Sequence, residues 1–400
     1  MISVEDARAR ILDFMPRMAT EWVSLAAAHG RALTVDVLAR RTHPPFDVSA
    51  MDGYAVRAAD VATAPAHLTV IGAAPAGRAF EGTVKAGEAV RIFTGGPLPA
   101  GADAVVIQEN VDAEGTAIRV LEGSPAGKHI RRRGYDFTEG QALVAAGTQL
   151  GAPHIALAAA GNVPWLGVAR RPRVALLATG DELARPGEPL GPDHIVSSNS
   201  VGLAALVQAA GGEPIDLGIA RDTTASLSEA LEAARGADIL VTLGGASVGD
   251  HDLVHATLKA KGFAIDFWKI AMRPGKPLMF GMREGLAVLG LPGNPVSAFV
   301  GGLLFLRPAL LAAQGLAPDL PRAFARLTSA LPANDTRADY LRARLTTNPD
   351  GTLDVTAFPT QDSANLSVFA KSDALIVRLP HAAPEPAGAL MPIIPLRTLL

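Results

Sequence analysis

The stretch Arg173-Val174-Ala175-Leu176-Leu177-Ala178-Thr179-Gly180-Asp181-Glu182-Leu183 changes character halfway. Residues 174–179 form an unbroken apolar run, the texture of a strand buried on both faces, and the run ends in glycine and two acids. The alternation continues downstream: a helix over 201–210, a strand at 215–219, a helix over 225–235, a strand at 239–243 and a helix over 253–261. Strands at 264–269 and 287–291 follow, then a helix from Pro295. Strand and helix alternating at short spacing predict a doubly wound parallel sheet with helices on both faces, over residues 171–316.

The flanks read differently. Residues 26–144 are rich in Gly, Pro and short β runs (90–93, 104–108, 117–121) with turns at Gly95-Gly96-Pro97 and Gly101-Ala102-Asp103, which predicts a β-rich region. Residues 1–25 and 145–170 form a discontinuous helical and linking region, with an amphipathic helix behind Ser3 that buries Val4, Ala7, Ile11, Leu12 and Met15. In residues 317–400 short strands return; runs at 340–346 and 352–357 flank Pro349-Asp350-Gly351, a hairpin signal, and predict a small β-barrel. The fold class expected is multidomain α/β plus β.

Composition narrows the chemistry. Of the 400 residues 49% are hydrophobic and 19% charged, enough for packed cores. The net charge of −3 offers no global field for nucleic acid, so any anion must be gripped locally. With no cysteine, thiolate metal ligands, disulfides and Cys nucleophiles are excluded, and a soft metal would need sulfur from a small molecule. The longest apolar stretch, 296–306, is read as stopped by Arg307 and Pro308, too short to span a membrane. The expectation is a soluble, cytoplasmic protein.

Ligands of open α/β sheets bind beyond the carboxyl ends of the strands. Four segments fall there: Thr179-Gly180-Asp181-Glu182-Leu183, Gly244-Gly245-Ala246-Ser247-Val248-Gly249, Arg273-Pro274-Gly275-Lys276-Pro277 and Leu291-Pro292-Gly293-Asn294-Pro295-Val296-Ser297. Alone, Asp181 and Glu182 fit a helix start. Asp222 and Asp252 at the same edge shift the reading to metal and phosphate handling. The glycine segment lets backbone N–H groups approach an anion; it matches neither a Walker loop nor a dinucleotide fingerprint. Prolines stiffen the Arg273–Lys276 loop, with Lys269 nearby, and paired rigid cations suit a tetrahedral oxyanion. The segment at Ser297 offers free helix N–H groups.

Together these segments resemble the molybdopterin molybdenumtransferases, the MoeA and gephyrin E-domain family. The N-terminal part adds Ser49-Ala50-Met51-Asp52-Gly53-Tyr54-Ala55-Val56, Ile92-Phe93-Thr94-Gly95-Gly96-Pro97-Leu98-Pro99, Ala104-Val105-Val106-Ile107-Gln108-Glu109 and Ile130-Arg131-Arg132-Arg133-Gly134-Tyr135-Asp136. The resemblance implies a four-domain subunit and a homodimer whose active site lies at the subunit interface. It also implies adenylyl-molybdopterin and molybdate as substrates, molybdenum cofactor and AMP as products, and Mg²⁺ or a similar divalent cation. Contacts with other molybdenum-cofactor enzymes fit the same family; nucleic-acid and membrane partners do not.

By that resemblance the metal carboxylates fall on Asp181, Glu182, Asp222 and Asp252. Molybdate falls to Arg273, Lys276, Ser297, Arg342 and Ser363, and the substrate to Gly244, Gly245, Ser247 and Lys269, with Asp52, Thr94 and Asp136 from the partner chain. Asp252, Asp222, Lys276 and Arg273 carry the catalysis. Arg273 stands where many members have Lys, which keeps the charge but presents a fork. Two alternatives remain: a molybdopterin adenylyltransferase-like enzyme, and a gephyrin-type scaffold without catalysis.

Overall fold

The computed structural model describes residues 1–245, 253–397 and 399. Serine 247 and Asp252 of the expected site lie outside the described residues. The chain forms two compact units. One comprises residues 1–21, 30–34 and 168–400, the other residues 22–29 and 35–167.

The first unit opens with helix α1 (Val4–Phe14), capped by Ser3, whose hydroxyl accepts from the Asp6 N–H at 2.9 Å; Val4, Ala7 and Ile11 are its buried stripe. Next come β1 (Arg173–Thr179), α2 (Asn199–Ala209), β2 (Glu213–Ala220), α3 (Thr224–Ala233), β3 (Ile239–Leu243) and α4 (Leu253–Ala260). Strands β4 (Ala264–Phe267), β5 (Met279–Arg283) and β6 (Leu286–Leu291) complete the sheet, in the order β2-β1-β3-β6-β5-β4. Strands β2, β1, β3 and β6 are mutually parallel. Alternate residues of β1 enter two different cores. Val174 and Leu176 join α2 residues Leu203 and Leu206 on one face. Ala175 and Leu177 join Leu227 and Leu231 of α3 and Val254 and Leu258 of α4 on the other. A run that is apolar at every position is thus explained by a sheet covered on both sides.

The sheet is not wholly parallel. Strand β5, which the sequence reading passed over, runs antiparallel to both β6 and β4. Its two-residue turn, Glu284-Gly285, has φ of 48° and 86°. That conformation belongs to the tight hairpin turns whose twist matches the strands, and glutamate is an uncommon choice for it.

The apolar stretch after β6, read as too short to span a membrane, belongs to a longer helix. It does not stop at Arg307: α5 (Pro295–Gly301) continues through a π-helical segment (Gly302–Leu306) into α6 (Arg307–Gln314). Proline 308 is tolerated because it sits where the wider π turn hands over to a new α turn. The 20-residue helix is long and apolar enough to cross a membrane by length and composition, but most of it is buried in this unit's core.

Strands β7 (Ala323–Leu327), β8 (Ala338–Thr347), β9 (Leu353–Ala357), β10 (Ala374–Arg378) and β11 (Leu390–Pro395) pair in the order β8-β9-β7-β11-β10, and β10 returns to β8. The ring is closed and has a core of small and branched side chains (Ala325, Ala343, Val355, Ile376, Ile393). The expected hairpin joins β8 to β9.

The second unit holds a six-stranded sheet in the order Ala104–Ile107, Gly53–Val56, Glu88–Ile92, Ala66–Ala74, Ala117–Val120, Val111–Glu114. Gly53 is dictated by packing: a Cβ there would collide with the Val106 carbonyl of the neighbouring strand.

Candidate active-site cleft

The chain leaves β1 toward β2 on one side and returns to β3 on the other, so a crevice opens where the direction of winding reverses. A cleft of about 840 Å³ lies there. Its walls include Thr179, Gly180 and Glu182 after β1, Asp222 after β2, Gly244 and Gly245 after β3, Pro292 to Pro295 after β6, and Pro277 and Ala364.

On the acidic side, the Asp222 N–H donates to Asp181 Oδ1 at 3.3 Å. Burial pushes the Asp222 carboxyl up, and the negative charges of Asp181 and Glu182 push it the same way. The glycine turn needs its glycines. Gly244 and Gly245 have φ of 101° and 62°; a Cβ on Gly244 would stand 2.7 Å from the Thr179 carbonyl, and one on Gly245 would strike Val254. Ile195 and Val196 reach the cleft because the segment Ile195–Val196 pairs in parallel with Leu183–Ala184.

The opposite wall is tied to the barrel. Asn294 Nδ2 donates to Ser363 Oγ at 3.0 Å, and the Val296 N–H donates to the Ser363 carbonyl at 3.0 Å. Ser297 is buried in the first turn of α5. Arg342 on β8 is only 2% exposed. Its guanidinium donates to the carbonyls of Tyr340 and Asp362 at 3.5 and 3.4 Å, and Nε has no partner among the described residues. These bonds are long for a buried cation, and burial pulls its pKa down.

Two expected site residues, Arg273 and Lys269, have other surroundings. Arg273 does not follow a strand of the main sheet: with Met272 it pairs beside β8, in register with Asp339. Its Nε donates to Asp339 Oδ1 at 2.7 Å, its NH2 group binds the second oxygen, and NH1 reaches Asp335 at 3.5 Å. The fork expected to meet an oxyanion meets a carboxylate, which raises the Arg273 pKa. Lys269 lies beyond the end of β4, where its carbonyl accepts from the Ile2 N–H. Lys276 is exposed beside Pro277 of the cleft wall.

In the second unit the Thr94 N–H and hydroxyl both donate to Asp52 Oδ1, at 2.7 and 2.9 Å, which holds that carboxyl below its ordinary range. The side chain of Asp136 is exposed, and its N–H donates to the His43 carbonyl. Sequence reasoning placed Thr179 and Asn294 in segments at the sheet edge without giving either a role, and it missed Asn199, which stands at the start of a helix.

A doubly wound α/β domain with a cleft at its switch point, followed by a closed five-stranded barrel and accompanied by a β-rich N-terminal region, defines a multidomain protein of the molybdopterin-binding class. Residues 175–312 match the probable molybdopterin binding domain, residues 2–161 the MoeA N-terminal region (domain I and II), and residues 325–396 the MoeA C-terminal region (domain IV). The molybdopterin molybdenumtransferase of Nostoc sp. is 39% identical over 94% of this chain and 90% of its own length. That of Haemophilus influenzae is 36% identical over the full length of both. The crystal structure of a molybdopterin biosynthesis MoeA protein from Pyrococcus horikoshii aligns with a TM-score of 0.85 at 30% identity, covering 99% of each chain. The chain belongs to the molybdopterin molybdenumtransferase (MoeA) family.

Proposed function

We propose that this protein inserts molybdate into adenylyl-molybdopterin, forming molybdenum cofactor and releasing AMP. It is an enzyme of molybdenum cofactor biosynthesis that transfers molybdenum. The observation that carries the fuller reading is one cleft with carboxylates on one wall and, on the other, a helix start bonded to Ser363, whose neighbour Asp362 accepts from Arg342.

Arg342, Ser297 and Ser363 hold molybdate in this reading, with Lys276 at the rim. Arg342 suits the role because its charge is buried and poorly satisfied. The pterin supplies both sulfur ligands to molybdenum, in keeping with a chain that has no cysteine. The two thiols replace one molybdate oxygen, which leaves with their protons as water, and attack of an oxygen, from water or from molybdate, on a phosphorus of the phosphoanhydride frees AMP.

Among the described residues no group of three His, Cys, Asp or Glu is arranged to hold a metal ion. The donor chemistry nevertheless fits a hard divalent cation. Asp181, Glu182 and Asp222 are all oxygen donors, and the 3.3 Å contact of the Asp222 N–H with Asp181 Oδ1 brings two of them together at the strand ends. They would hold Mg²⁺ together with Asp252. What a bound Mg²⁺ supplies is charge compensation at the pyrophosphate oxygens. The protein acts as a cytoplasmic homodimer with Asp52, Thr94 and Asp136 contributed across subunits and passes its product to other molybdenum-cofactor enzymes. These last points rest on the family resemblance.

Replacing Asp222 by Asn tests the acidic wall. AMP release at saturating substrate is expected to fall by about tenfold or more, with excess Mg²⁺ recovering part of it. An undiminished rate in the variant removes the wall from the chemistry.

A further inference from the structure

Two residues that line the cleft each carry a buried polar atom without a hydrogen-bond partner among the described residues: Thr179 Oγ1 and Asn199 Oδ1. Thr179 is 4% exposed. Asn199 cannot turn its amide over, because its Nδ2 donates to the Gly293 carbonyl at 2.6 Å. Its oxygen is therefore fixed as an acceptor, open to an N–H or O–H group that a ligand brings. Around these atoms the wall is apolar and partly open: Ile195, Val196 and Leu253 are exposed large hydrophobics of this cleft. A flat heterocycle with a donor edge fits both features.

We propose that Thr179 and Asn199 are specificity-determining residues that read the N–H edge of a fused nitrogen heterocycle of the substrate. The assignment rests on the reading of adenylyl-molybdopterin as substrate. Pterin and adenine both carry such an edge, and the experiment separates them.

A buried hydroxyl with no partner costs the ligand-free protein stability, and valine keeps its shape without the cost. Thr242 supplies the control. Its hydroxyl is likewise buried without a partner among the described residues, but Thr242 does not line the cleft. Full-length wild type, Thr179→Val, Thr242→Val and Asn199→Ala would be compared by thermal melting without ligand, and by calorimetric titration with AMP and separately with a reduced pterin. Both valine variants should melt no lower than wild type. Thr242→Val should bind as wild type does, whereas Thr179→Val and Asn199→Ala should lose about three- to tenfold affinity for one probe only. Loss for AMP assigns the edge to adenine, and loss for the pterin assigns it to the pterin.

Wild-type affinity for both probes in Thr179→Val overturns the assignment and leaves the proposed reaction standing. Wild type that binds neither probe sinks the proposed reaction, and the assignment with it. A Thr179→Val protein that melts well below Thr242→Val contradicts the claim that the hydroxyl awaits a ligand.

Discussion

Arg342 carries its charge into the barrel wall with two long hydrogen bonds to carbonyls, while Arg273, about half exposed, is gripped by Asp339. One guanidinium has capacity to spare and the other has spent it. Arg342→Ala is accordingly expected to raise the molybdate concentration for half-maximal insertion by about tenfold or more, the loss of a charged hydrogen-bonding partner. Arg273→Ala leaves the buried Asp339 carboxylate uncompensated and should act chiefly on stability. Allowing for the half-exposed guanidinium, the cost is about 1–2 kcal/mol in urea denaturation. If molybdate dependence shifts for Arg273→Ala and not for Arg342→Ala, the two roles are reversed. Sequence alone could not separate them, because the carboxylate that occupies Arg273 lies 66 residues away and arrives through pairing with β8.

At the scale of elements, β1, β3 and β6 were legible because a strand covered on both faces is apolar at every position. The same logic hid β5. Met279-Phe280-Gly281-Met282-Arg283 has glycine in the middle and lacks β-branched residues, and its turn is Glu-Gly rather than Asn-Gly. Gly281 is there because a Cβ would stand 2.8 Å from the Ala264 carbonyl of β4. Glu284, at φ 48°, is a left-handed residue with a poor side chain for it. Glu284→Asn should therefore stabilise the protein by about 0.5–1 kcal/mol, read as a higher denaturation midpoint at unchanged slope. A lower midpoint would mean that the glutamate has a role the turn does not reveal. The continuation past Arg307 was hidden for a different reason. Proline is read as a stop, and only the π turn before it makes room for the helix to go on.

On the scale of the whole molecule, the mixed α/β and β architecture follows from changes of texture along the chain, and the family from motifs spread over its length. Of the four segments expected at one sheet edge, those after β1, β3 and β6 contribute to the cleft there, whereas Arg273 pairs beside β8 instead. What remained hidden were its polar details, Thr179, Asn199 and Asn294, whose roles depend on which atoms are left without partners after folding. The central claim is that one cleft couples loss of AMP to gain of molybdenum. It is tested most directly by incubating the purified protein with adenylyl-molybdopterin and Mg²⁺, with and without molybdate, and following AMP and protein-bound molybdenum in the same samples. AMP and cofactor molybdenum are expected in equal amounts, with molybdate accelerating AMP release. AMP released at the same rate without molybdate, or molybdenum inserted with no AMP formed, would contradict it.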